Sequence, residues 1–283
     1  PFFLYVPFNA PHGASSLDPV IRSGAQAPEK FKKLYPALLS QAGTQTGTRY
    51  GKPTTVRNRA ARRLEFVGSI TAMDAAIGKL LNLLDEYKIA DNTIVLFIAD
   101  HGSVHKGSLL KNRGTEVPCL VRWPAKIKPG VRCTELLQNT DFVPTWFDVA
   151  NVEVPRDYRM DGVSIAPLFD DPTKPIRQYV YGEMGSARSI KTKEWNYIAL
   201  RYTREQIEAI RGDHRSVRKL MGLSGGVSRA KSYPHAFDSD QLYNLKTDHQ
   251  EMTNVAGDPE NDKHLREMQR FLKQELGAFP HRP

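Results

Sequence analysis

The hydrophobic positions of this 283-residue chain fall into blocks of different period. From Leu64 to Tyr87, the residues Val67, Ile70, Ile77, Leu80, Leu81 and Leu84 recur at helical spacing, which predicts one apolar stripe on an amphipathic helix. Ala90-Asp91-Asn92 ends it. Thr93 to Ala99 is then an unbroken β-branched and apolar run, the pattern of a central strand buried on both faces of a parallel sheet. Helix followed by buried strand is the α/β signature. A second buried strand is predicted at Val117 to Trp123 and a further helix at Thr140 to Ala150. The chain opens on another strand-like run, Phe2-Phe3-Leu4-Tyr5-Val6, stopped by the prolines and glycine of Pro7 to Gly13. That places His12 at a strand end. From about 13 to 63 there is little periodicity apart from a short helix around Glu29 to Leu39, and so long an irregular insertion is more often functional than structural.

After about residue 175 the pattern changes. Ser189-Ile190 and Trp195 to Leu200 flank the polar turn Lys191 to Glu194, which predicts an antiparallel hairpin with Trp195, Tyr197 and Ala199 on one face. A loop-like basic stretch follows over 203 to 240. A short strand at Gln241 to Leu245 then precedes a closing helix that packs through Leu265, Met268, Leu272 and Leu276. The expected organisation is an α/β layer over 1–177 and a small α+β subdomain over 178–283.

Composition narrows the classes. With 40% hydrophobic and 25% charged residues the chain can bury a sizeable core. No apolar run approaches the roughly 20 residues that span a bilayer, and no membrane span is expected. The strand-like opening at Pro1, without a lead-in, is the expected look of a truncated beginning, so an export signal would lie upstream. Cys119 and Cys133 are too few for a disulfide scaffold, and Cys119, in an apolar run, is expected as a small core residue. The formal charge of +9 is concentrated between residues 22 and 63, where ten Lys or Arg face Glu29 alone. Such a surface attracts polyanions, and a solvated basic loop is the plainer reading of it.

Ligands of open α/β sheets gather at the carboxyl ends of strands. Asp100-His101-Gly102 directly follows the run 93–99, so a carboxylate and an imidazole, both metal-ligand types, emerge at such an end. His105, Lys106 and Lys111 follow closely, and nitrogen donors beside a metal suit a tetrahedral oxyanion. His12 is the other candidate, able to donate to a sulfate oxygen or to protonate a leaving alcohol. Asp74 interrupts the helical stripe as a polar residue with a core partner. Taken from spacing alone, each of these also reads as an ordinary loop, cap or core residue. No Gly-rich phosphate loop, Gly-x-Ser-x-Gly elbow or paired CxxC is present, which removes support for common nucleotide and serine-hydrolase chemistry.

Taken in order, several segments resemble the sulfatase family of the alkaline phosphatase superfamily, in its arylsulfatase and glycan-sulfatase branch. They are Pro1 to Val6 through Ala10-Pro11-His12, Ala72 to Gly78, Asp91 to Val95 through Ala99-Asp100-His101-Gly102, and Lys106-Gly107-Ser108-Leu109. Val117-Pro118 through Val121 to Pro124, Asp141 to Ala150, Asp161 to Ser164 and Gln241 to Leu245 complete the series. The resemblance implies an alkaline-phosphatase-like αβα sandwich, present in part, with a small C-terminal α+β subdomain built on an antiparallel sheet. It implies a sulfuric ester hydrolase acting on a sulfated small molecule or glycan, without specific nucleic acid, and a periplasmic, secreted or lysosomal setting. By position it makes Asp100 and His101 ligands of a divalent cation, calcium in most members, with His101 standing where many members have Asn. His12 then contacts the sulfate and leaving-group oxygens, and Lys106 contacts sulfate. Lys111 is the alternative for that lysine, because the stretch before Val117 departs from the family's usual Tyr-Glu-x-Gly pattern, and His105 is a further substrate-binding candidate.

The family's nucleophile is a formylglycine made within Cys/Ser-x-Pro-x-Arg. Neither Cys119 nor Cys133 fits that motif, and the family's N-terminal aspartate pair is also missing. The chain is therefore expected to be an N-terminally truncated sulfatase, inactive as written. Two other readings stand beside it: a phosphonate or phosphodiester hydrolase of the same superfamily, and a non-catalytic polyanion-binding protein using segment 22–63.

Overall fold

The computed structural model describes residues 1–13, 24–49, 52–102, 108–110, 114–201, 203–206, 208, 234–235 and 238–278. The chain forms two compact units, Pro1–Thr93 and Ile94–Pro283.

In the first unit two short helices, α1 (Glu29–Lys32) and α2 (Pro36–Leu39), precede a hairpin of β1 (Thr44–Arg49) and β2 (Lys52–Arg57) and the long α3 (Arg59–Glu86). The side chain of Asn58 caps α3 by accepting the N–H of Ala61 at 2.8 Å. The hairpin escaped the hydrophobic pattern because its sequence, TQTGTR and KPTTVR, has β-branched threonines but no apolar alternation.

The buried side of α3 is also not the predicted stripe. Ala61, Leu64, Glu65, Gly68 and Ser69 are buried, whereas Ile70 and Leu80 are exposed and so is Asp74. The reason is tertiary packing: α1 and α2 pack on the start of α3. A Cβ on Gly68 would come within 2.8 Å of the Ala27 Cβ. Buried Glu65 gathers the basic segment by accepting the Ala27 N–H at 2.8 Å and Lys32 Nζ at 3.3 Å, with Arg57 Nη2 at 3.7 Å. Helix α3 is the one described helix long and apolar enough to cross a membrane, by length and composition only.

The opening run is a second correction. Phe2, Phe3, Leu4, Tyr5 and Val6 join no strand ladder and are exposed, because no described strand pairs with them.

In the second unit β3 (Val95–Ile98) pairs with β4 (Cys119–Arg122). The ladder is antiparallel, and β3 is half-buried along its length instead of enclosed in a parallel sheet. The chain between them reverses direction, so the two apolar runs meet head to tail. Cys119, expected in a core, is exposed at the start of β4, and Leu120 beside it is exposed too. Val121 and Trp123 instead pack on a cluster of Ile165, Leu168 and Phe169, which also takes in Phe142 and Val149 from α4 (Phe142–Val149). The next helix, α5 (Pro167–Asp170), contributes Leu168 and Phe169.

The predicted hairpin at 189–200 is present as the centre of a four-stranded antiparallel sheet, β5 (Val180–Met184), β6 (Ala187–Lys191), β7 (Trp195–Leu200) and β8 (Asp240–Asn244), in that order. Every residue of β7 is buried, so both faces of the sheet are covered. Trp195, Tyr197 and Ala199 face α6 (Asp262–Ala278) and its Met268, Phe271 and Leu272. Ile198 and Leu200, with Ala187 and Tyr243, face the loop residues Leu109 and Leu110. This alternation follows from the two-residue period of a strand. Leu265 and Leu276 join the α6 face as partly buried neighbours, as their helical spacing predicts.

Candidate functional site

Strand β3 delivers Asp100 and His101 together. The ladder ends where the Ala99 N–H donates to the Pro118 carbonyl at 3.3 Å, and the next three residues turn away. Asp100 accepts the His101 N–H on Oδ1 at 2.9 Å, while its Oδ2 lies 3.2 Å from His101 Nε2. The other ring nitrogen, Nδ1, is 2.9 Å from the Gly102 carbonyl. A carbonyl only accepts, so Nδ1 carries the proton. In the neutral ring the Nε2 lone pair then points at a carboxylate oxygen. The contact is an ion pair when the ring carries both protons, and with a neutral ring a cation beside the two atoms would satisfy both. The Asp100 side chain is 85% exposed, open to an incoming ion, and His101 is 34% exposed.

A carboxylate and an imidazole are both donor types that divalent cations take. Calcium takes six to eight oxygens, whereas the described residues contain no group of three or more His, Cys, Asp or Glu placed to hold a metal. Asp100 and His101 can supply two donors.

The turn is held from below. Buried Gly102 donates its N–H to the Gly114 carbonyl at 3.1 Å, and Thr115 returns to Leu110 through its N–H at 3.1 Å and its Oγ1 at 3.2 Å. Lys191 Nζ donates to Thr115 Oγ1 at 2.5 Å, and Asn196 Nδ2 approaches the Leu109 carbonyl at 3.4 Å. Sequence reading passed over Lys191 and Asn196. The available signal was a polar residue inside the apolar run Trp195 to Leu200.

His12 lies in the first unit, exposed, in a turn closed by its N–H to the Asn9 carbonyl at 2.8 Å. It follows a cis Ala10–Pro11 peptide, not a strand. Its Nδ1 is 2.8 Å from the Gly13 carbonyl, leaving Nε2 as the outward-facing nitrogen. His105, Lys106 and Lys111 lie outside the described residues.

A sequence model of the family described as Sulfatase matches residues 1–152, more than half of the chain. The chain belongs to the sulfatase family. A second model, described as N-sulphoglucosamine sulphohydrolase, C-terminal, matches residues 99–211 of this sulfatase chain. It is 30% identical over 222 residues to an ulvan-active sulfatase of Formosa agariphila, covering 74% of this chain and 43% of that protein. To an N-acetylglucosamine-6-O-sulfatase of Bacteroides thetaiotaomicron it is 26% identical over 217 residues, covering 74% of this chain and 35% of that one. The crystal structure of Ps i-CgsB superposes with a TM-score of 0.62 at 22% identity, covering 97% of this chain and 49% of that chain. The fold is thus alkaline-phosphatase-like, a mixed α/β architecture. This sulfatase chain spans less than half the length of these relatives.

Proposed function

We propose that the protein is a sulfuric ester hydrolase, arylsulfatase-like in chemistry and acting on a sulfated glycan, in which Asp100 and His101 hold a divalent cation, calcium by family preference. The observation that carries the reading is the convergence of Asp100 Oδ2 and His101 Nε2, 3.2 Å apart at the carboxyl end of β3 in a sulfatase-family chain. Glycan substrates are favoured because relatives include an N-acetylglucosamine-6-O-sulfatase, and because ten Lys or Arg crowd residues 22–63.

The cation would neutralise charge on the sulfate oxygens as the ester is cleaved. This chain's own residues orient and protonate. Asp100 and His101 fix the ion's place at the strand end. His12, with Nδ1–H turned to the Gly13 carbonyl, offers Nε2 to the leaving alcohol, and as an imidazolium, protonated at both nitrogens, it gives up the Nε2 proton and is left neutral. Lys106, or Lys111 in its stead, binds a sulfate oxygen, and His105 assists. Residues 1–177 carry these groups, and 178–283 supply the supporting subdomain. Cys/Ser-x-Pro-x-Arg does not occur among the 283 residues, so turnover requires a nucleophile from outside them.

The test is calcium binding by the chain, followed by titration calorimetry or terbium luminescence, for Asp100→Ala and His101→Ala. Each variant should weaken binding. Unchanged binding in both excludes them as ligands.

A further inference from the structure

The face of the four-stranded sheet opposite α6 does more than bury apolar residues. Lys191 on β6 and Asn196 on β7 are directly cross-strand, and both are buried. Asn196 Nδ2 donates to Glu251 Oε1 at 2.6 Å, and Glu251 is itself 1% exposed. Glu251 holds a positive φ of 57°, a conformation that bulky residues seldom adopt, in a turn closed by its N–H to the Asp248 carbonyl at 3.1 Å. A buried carboxylate under backbone strain is retained only where its surroundings over-determine it. Here the partner on the far side of Asn196 is the loop. Asn196 reaches the Leu109 carbonyl, Lys191 reaches Thr115 Oγ1, and Leu109 and Leu110 fill the same sheet face between them. From Thr115 the contacts continue through adjacent Gly114, whose carbonyl accepts the Gly102 N–H.

We infer that Lys191, Asn196 and Glu251 are positioning residues for the cation-binding turn: they pin Ser108–Leu110 and Gly114–Thr115 to the C-terminal sheet, and those stretches in turn fix Gly102 and the Asp100–His101 pair. The inference deepens the cation reading above and rests on it for its functional meaning. Asn196 engages the loop and Glu251 through Nδ2 alone, its buried Oδ1 taking no hydrogen bond among the described residues, so loss of this side chain frees the loop as well as Glu251. The support reaches the turn through Thr115 and Gly114. The geometry of the turn is set at one remove.

Two readouts separate positioning from general support of the fold. The first is amide hydrogen exchange at Gly102 in Lys191→Met, Asn196→Ala and Lys191→Arg. The second is the calcium titration of the same variants, beside Asp100→Ala. Phe271→Leu, on the opposite sheet face, serves as the control for loss of core stability. Lys191→Met and Asn196→Ala should each speed Gly102 exchange by roughly tenfold, the scale of one lost hydrogen bond, and weaken calcium binding severalfold. Lys191→Arg should restore both, and Phe271→Leu should move neither while lowering the melting temperature. Unchanged Gly102 exchange in both variants, or an equal rise in Phe271→Leu, would overturn the proposal. If Asp100→Ala leaves the calcium response intact, the cation assignment fails, and Gly102 exchange alone still decides whether the sheet positions the turn.

Discussion

Asp141 offers the sharpest test of how the second unit is held together. Its carboxylate is fully buried at the start of α4, where it accepts the Gln138 N–H at 2.7 Å and the Val163 N–H at 3.1 Å and pairs with Arg177 Nη2. Its own carbonyl takes the Thr145 hydroxyl at 2.6 Å, and Thr145 Oγ1 in turn accepts the Ile165 N–H at 2.9 Å. The Asp141 side chain thus ties residues 138, 163 and 177, and its carbonyl, through Thr145, ties 165. Asp141→Ala would strand the Arg177 guanidinium, whose side chain is only 13% exposed, and leave two backbone N–H groups without their acceptor. Breaking a buried pair by removing one partner costs about 3–5 kcal/mol. That is a large part of the roughly 5–15 kcal/mol that holds a domain folded. With a urea slope of about 2 kcal/mol/M, the midpoint should fall by roughly 1.5–2.5 M. Tryptophan fluorescence reads this unit alone, since Trp123, Trp146 and Trp195 all lie in it. Adding Arg177→Met to Asp141→Ala should recover part of the loss, because no cation is then left buried. A midpoint shift below about 0.5 M at unchanged slope would refute the account.

Other outcomes follow from single features. Gly162→Ala would place a Cβ 2.1 Å from the Thr140 carbonyl oxygen, a backbone atom that cannot step aside, so soluble yield and melting temperature should fall sharply; a wild-type melting curve would contradict the close approach. Burial, with a hydrogen bond to Asp240 adding to it, pushes the Tyr197 hydroxyl up to about 12. A raised folded value means its stabilisation is complete below pH 10 and is lost as pH climbs towards 12, so Tyr197→Phe should flatten the fall in urea midpoint across that window, and an unaltered fall would refute it. Glu65→Ala should unpin Ala27 and Lys32 from α3, seen as faster amide exchange at Ala27; unchanged exchange there would count against the anchor. Exposed Arg59 and Arg63, changed together to Glu, should elute earlier from a sulfated-polymer column in a salt gradient, and identical elution would remove the basic segment from substrate binding.

Much of this protein is written in local pattern. The long helix, the strand at 95–98, the helix after Asp141, the 187–200 hairpin and the closing helix all declare themselves, because period and turn chemistry act over a few residues. Asp100-His101 at a strand end is legible for the same reason, and so is membership of the sulfatase family from the order of its segments.

What pattern could not decide is which face meets which partner. The predicted stripe on α3 is as apolar as a core face, yet α1 and α2 bury the Ala61–Ser69 side, a choice made by neighbours tens of residues away. The run at 2–6 has every propensity of a strand and no described strand beside it, since a ladder needs a second chain segment to exist. The support beneath the Asp100–His101 turn is equally non-local. Lys191, Asn196 and Glu251 are ordinary polar residues in sequence, and only a sheet folded against a loop some 80 residues earlier makes them one buried network, because hydrogen bonds between side chains depend on distance in space and not on spacing along the chain.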